Sequence, residues 1–110
     1  MNLVDHLYRQ WLWSNNTFGP GKNTAGLLAH IRSELKEVEA KPHDLKEWID
    51  IAILAFDGAL REGHCPEAIA YGLVDKQTEN EKRKWPDWQT VPAGQPIEHI
   101  RDSGDEHNET

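Results

Sequence analysis

Apolar positions along the chain recur at steps of three and four, and no stretch alternates convincingly with period two, which predicts helices and no sheet. Leu3, Leu7 and Trp11 stand at i, i+4 and i+8 and place a first helix over Leu3–Trp13. The segment SNNTFGPGKN, dense in Asn, Gly and Pro, predicts a loop after it. Leu27, Leu28, Ile31, Leu35 and Val38 form the stripe of a second helix, capped by Asn23 or Thr24 and ended by Pro42. A third follows Asp44, an N-cap, and runs to Arg61 with Gly63 as its stop. A fourth opens at Pro66, places Ile69 and Leu73 on its inner face, and reaches Lys84 before WPDW breaks it. The expected fold class is all-α.

Residues 1–88 read as one helical domain. Residues 89–110 read as a polar extension, expected to pack only near 97–100 and to be disordered beyond. A chain of 110 residues buries well under about 70% of the surface it exposes when unfolded. A bundle this small is expected to be completed by oligomerisation.

Composition narrows the function classes. Acids number 19 against 12 Lys and Arg, a formal net charge of -7, which excludes a nucleic-acid binder working through a broad basic face. Anionic ligands stay open, because bound cations invert the local field. The single cysteine, Cys65, allows no disulfide within the chain and fits a reducing cytosol. No signal peptide is read at the start, and no apolar run approaches the roughly 20 residues of a membrane span, so no membrane role is expected.

The chemistry lies in the acids. Glu34 and Glu37 are three apart on the second helix, and Glu47 and Asp50 three apart on the third. At about 100° per residue such a pair lies within about 60° on one side of a helix. On the second helix that edge adjoins the apolar stripe. Two such edges face to face make a cage of four carboxylates, which repel one another unless cations lie between them. Hard oxygen ligands of this kind suit Mg2+ or Mn2+. Solvated surface acids are the plainer alternative for Glu34 and Glu37, and a capping box with Asp44 for Glu47. Asp50 abuts the apolar run Ile51–Phe56 on a helix that looks buried nearly all round, so partial burial is expected for it. Asp57 either pairs with Arg61 one turn later or stands behind the metal ligands. His30, on the edge of Glu34 and Glu37, is structural, orients a Glu or touches substrate. No Glu is followed three residues later by His, which weakens a di-iron reading.

Lys76, Asn80 and Arg83 continue the line of Ile69 and Leu73 along the fourth helix and are expected to face inward. They suit salt bridges or a phosphate clamp. Acids that hold metal beside such cations point to metal-assisted hydrolysis of a polyphosphate.

ELKE (Glu34–Glu37) followed by EWID (Glu47–Asp50) resembles the paired acid signature of MazG-like all-α nucleoside triphosphate pyrophosphohydrolases. KQTENEKRKWP (Lys76–Pro86) resembles their fourth-helix Lys/Asn/Arg motif. FGPG, the His-Ile pair at His30, EWIDIAILAFDGALREG, WPDW and the late PIEH bring the chain closer to the phage-type dATP/dGTP pyrophosphohydrolases, the MazZ-like branch. The likeness runs from Trp11 to Arg101. It implies a MazG-like bundle assembled as a dimer or tetramer in the bacterial or host cytoplasm. Glu34, Glu37, Glu47 and Asp50 would bind two or three Mg2+ or Mn2+ ions, and activated water would attack a phosphate to release dNMP and pyrophosphate. One Glu would act as base, with the choice open. Lys76, Asn80 and Arg83 would hold the phosphates. Trp13, Phe18 and Asn23 flank the loop where relatives contact the nucleobase; the two aromatics either sandwich a purine, with dGTP favoured over dATP, or serve core or interface. The short span between Glu37 and Glu47 departs from the broad superfamily. The alternatives are a non-catalytic helical interaction module and a hydrolase of damaged nucleotides.

Overall fold

The computed structural model describes residues 1–101. Four helices run in order, α1 (Leu3–Phe18), α2 (Thr24–Ala40), α3 (Leu45–Arg61) and α4 (Pro66–Lys82), and no strand occurs among the described residues. The fold is all-α. The chain divides into two compact units, 1–72 and 73–110, with the break inside α4.

In the first unit α3 packs against both α2 and α1. The four-residue linker 41–44 makes α2 and α3 a helical hairpin. Asp44 caps α3 by accepting from the Lys46 N–H at 3.0 Å, and Gly63, at φ 102°, turns the chain out of it. Two expected boundaries shift. α1 continues through Ser14–Phe18, where the sequence predicts a loop. Ser14 is buried with its hydroxyl on Asp57 at 2.8 Å, so the side chain does not compete with the helix backbone. The break falls at Gly19, whose N–H closes onto the Asn15 carbonyl at 3.0 Å. α4 ends at Lys82, two residues before the expected end.

Among the described residues the buried apolar side chains are Leu7, Val38, Leu60 and Pro66. On α2, Leu27, Ile31 and Glu34 are half-buried on the side of Val38, whereas Leu28 and Leu35 are exposed. The run Ile51–Phe56 is not fully buried: Ile51–Leu54 and Phe56 are half-buried and Ala55 is exposed. The expected burial of Asp50 fails for the same reason. α1 and α2 leave the first turns of α3 partly uncovered, and Trp48, Ile49 and Asp50 there are exposed.

In the second unit, Trp85 donates to the Asn80 carbonyl at 2.6 Å and meets His99 edge-on at 5.8 Å. The Ile100 N–H reaches the Lys84 carbonyl at 2.7 Å. A short 3-10 turn spans Trp88–Thr90. Residues 102–110, where the sequence predicts disorder, lie outside the described residues.

Candidate metal and nucleotide site

Helix geometry puts Glu34 on the α2 face turned to α3, and puts Glu47 and Asp50 on one edge of α3. One carboxylate oxygen from each lies within 4.8 Å of the other two. Glu34 and Glu47 are half-buried and Asp50 is exposed. Oxygens about 2.1 Å from one octahedral Mg2+ stand roughly 3 to 4 Å apart, so these three need close only slightly to share an ion. The donors are all carboxylates, the hard type that Mg2+ and Mn2+ take. Partial desolvation pushes the Glu47 carboxyl above its ordinary value, followed by repulsion from Asp44, Glu37 and Asp50, against a smaller opposing pull from Lys41. Glu37 stays outside the three-carboxylate group, exposed one turn along α2. It makes itself felt through its field on Glu47.

His30 turns its Nε2 to Glu34 at 3.4 Å, with its ring half in solvent. A cavity of about 300 Å3 opens beside the cluster, lined by Glu34, Asp50, His30, Trp13 and Phe18. That is the lower end of the size range for small-molecule sites. Trp13 and Phe18 are 56% and 66% exposed, so neither is a core residue of this chain. Their rings meet edge to face at 5.3 Å and 89°. A stacked base between them needs planes about 7 Å apart, twice a van der Waals contact. In this arrangement the two rings make a wall, not a slot. Asn23 lies in an adjoining cavity of about 350 Å3 with Phe18, Lys22, His30 and Arg61.

The structure thus brings together three of the four acids expected from the sequence, with Glu37 outside the group. Residues 7–106 match the family described as dATP/dGTP pyrophosphohydrolase. The chain belongs to that family. The Eaa protein of Salmonella phage P22 is 34% identical over 90 residues, covering 82% of this chain and 27% of that protein. The chain thus spans little more than a quarter of that relative's length. No solved structure matches.

Lys76, Asn80 and Arg83, expected from the sequence to hold phosphates, lie in the second unit. Lys76 and Leu73 are exposed, whereas Asn80 and Arg83 are half-buried. The two cations are tied locally. Glu79 takes Lys76 at 3.4 Å and Arg83 at 2.7 Å, and Arg83 also reaches the Asn80 side-chain oxygen at 3.4 Å. Lys76 and Asn80 line one shallow cavity along the helix. Glu79 was not singled out from the sequence, although it stands at i+3 from Lys76 and i−4 from Arg83.

Two further features of the first unit were not read from sequence. Gln10 is buried on α1 and donates to the Ile53 carbonyl of α3 at 2.8 Å, with His6 on its other side at 3.0 Å. Ser14 joins Asp57 and Arg61 in one buried cluster. The Asp57–Arg61 pair was visible in sequence; Ser14 carried no local signal. No helix among the described residues is long and apolar enough to cross a membrane.

Proposed function

We propose that this domain hydrolyses purine deoxynucleoside triphosphates, dGTP or dATP, to the monophosphate and pyrophosphate, with Mg2+ or Mn2+ as cofactor. The observation that carries the reading is the convergence of Glu34, Glu47 and Asp50 within 4.8 Å beside a cavity walled by Trp13 and Phe18. Family membership supplies the reaction class.

Glu34, Glu47 and Asp50 hold the cations, and Glu37, one helical turn from Glu34, completes the acid set. Bound divalent ions supply charge neutralisation for the triphosphate and activation of the attacking water. His30 fixes the Glu34 rotamer. The carboxylate left least engaged accepts the proton from water, and exposed Glu37 suits that task. The aromatic wall of Trp13 and Phe18 offers the nucleobase an apolar face, and Asn23 offers it a hydrogen-bonding amide that both donates and accepts. Lys76, Asn80 and Arg83 bind the phosphates, a role that rests on the family motif.

The working unit is a homo-oligomer, a dimer or tetramer. Leu12, Trp48, Leu45 and Tyr71 are each more than half exposed, and burying one such side chain is worth about 1.5–3 kcal/mol. The test is a screen of canonical and modified dNTPs with Mg2+, following pyrophosphate release and the nucleotide product. Purine dNTPs turn over to monophosphate, and EDTA stops the reaction. A chain that binds no Mn2+ and releases no pyrophosphate from any dNTP overturns the reading.

A further inference from the structure

The best-made polar cluster in the first unit holds no carboxylate of the proposed metal set. The Arg61 side chain is 6% exposed and every arm of its guanidinium is used. Nε donates to Asp57 Oδ2 at 2.9 Å. Nη1 donates to the carbonyls of Gly19 and Gly21, both at 2.8 Å. Nη2 donates to Ser14 Oγ at 2.8 Å, and that hydroxyl donates to Asp57 Oδ1 at 2.8 Å. Gly19 and Gly21 both lie at positive φ, 85° and 95°, the conformation that turns their carbonyls towards one guanidinium. A second tie from the next residue of the chain holds the far side of the loop: Glu62 bonds Lys22 at 3.3 Å and the Thr24 hydroxyl at 3.1 Å. The turn so fixed follows directly on Phe18, whose ring packs on Trp13 and walls the cavity beside Glu34 and Asp50.

We infer that Arg61 is a positioning residue for substrate recognition: by clamping the Gly19 and Gly21 carbonyls it sets Phe18 in the wall of the nucleobase pocket. This rests on the function proposed above and extends it to a residue that touches neither metal nor phosphate. The clamp needs a planar fork that serves an acid, a hydroxyl and two carbonyls at once. A lysine ammonium keeps the pairing to Asp57 but cannot span the rest.

The decisive variant is Arg61→Lys, with Ser14→Ala as a milder second should the first fail to fold. Turnover of purine dNTPs by the wild type is measured first; its absence overturns the function itself, whereas its presence lets the clamp be judged alone. In folded Arg61→Lys the KM for purine dNTPs rises about tenfold and purine-over-pyrimidine discrimination falls about tenfold, the scale expected from displacing a positioning contact. Here kcat stays within about threefold and Mn2+ affinity within about twofold, because uniform binding is lost and the metal ligands are untouched. Tryptic cleavage after Lys22, followed by mass spectrometry, speeds up. Phe18→Ala reproduces the kinetic signature, and the double variant is no worse than Phe18→Ala alone, since both act through one ring. Wild-type KM and discrimination in folded Arg61→Lys overturn the inference, and so do effects that simply add to those of Phe18→Ala.

Discussion

Asp50 and Asp57 sit seven residues apart on α3, at nearly the same helical angle, and have opposite surroundings. Asp57 is buried, with Arg61 on one oxygen and Ser14 on the other. Asp50 is exposed and stands among Glu34 and Glu47 with like charge on both sides. The first is a carboxylate whose needs the fold meets internally. The second belongs to a group of like charges drawn together, and the Glu47 carboxyl there is raised first by desolvation and then by Asp44, Glu37 and Asp50. Residue type and helix face alone do not separate structure from function here; the identity of the neighbours does.

The largest expected effect strikes the unmet group. Asp50→Asn, or Glu37→Gln as a probe of the base, lowers pyrophosphate release by about a thousandfold or more, as when a group that acts only in the transition state is removed. Helical content by circular dichroism stays as in the wild type. Retained turnover in Asp50→Asn breaks the comparison, because Asp50 would then be no more than a solvated acid.

Damage to the internally satisfied group shows in stability instead. Asp57→Ala strands the Arg61 guanidinium in a 6% exposed site, and breaking such a buried pair costs about 3–5 kcal/mol. Urea unfolding measures it as a lower midpoint. Mn2+ affinity per folded molecule stays unchanged. A loss below about 1 kcal/mol would place the pair with ordinary surface bridges.

The cations of the second unit fall between these cases. Lys76 and Arg83 are paired, yet through a shared and half-exposed Glu79 that offers each a weak hold. Lys76→Ala and Arg83→Ala each raise the KM for a dNTP about tenfold, the usual worth of a charge-assisted phosphate contact. Glu79→Gln loosens both and moves KM the other way or not at all. Steady-state kinetics at fixed Mg2+ read all three, and unaltered KM in both cation variants removes them from the site.

Much of this was legible in advance where local geometry decides it. The limits of α3 follow from Asp44 and Gly63, and the pairing of acids on shared edges follows from the helical repeat. What depends on distant neighbours was not. Ser14 looked like a loop residue because its partner, Asp57, is 43 positions away. Asp50 looked buried because an apolar run says nothing about how much of a helix its neighbours cover. The stripe on α4 is a mixed case: the heptad places Lys76, Asn80 and Arg83 in line, but only packing decides their exposure, and Lys76 is exposed while Asn80 and Arg83 are half-buried.

The smallest effect sharpens the contrast most, because it reads what desolvation and like charge together do to Glu47. In EDTA the Glu47 carboxyl titrates above its ordinary 4.5 in the folded chain, owing first to desolvation and then to Asp44, Glu37 and Asp50. The folded state therefore takes up this proton before the unfolded state does, and the contribution of Glu47 to stability is fully present below the unfolded value and lost as pH rises through the folded one. At neutral pH and above, the charged side chain is a net burden on the metal-free fold. Glu47→Gln removes that burden, so in EDTA its Tm exceeds the wild type's at neutral pH, and the gap closes as pH falls past the ordinary carboxylate value. With saturating Mg2+ the order reverses, since the wild type gains binding energy that the amide variant forgoes. Calorimetry across pH, with and without the ion, tests both halves. A gap that ignores pH in EDTA means that Glu47 is neither desolvated nor crowded by like charge, and an order that ignores Mg2+ means that Glu47 holds no cation.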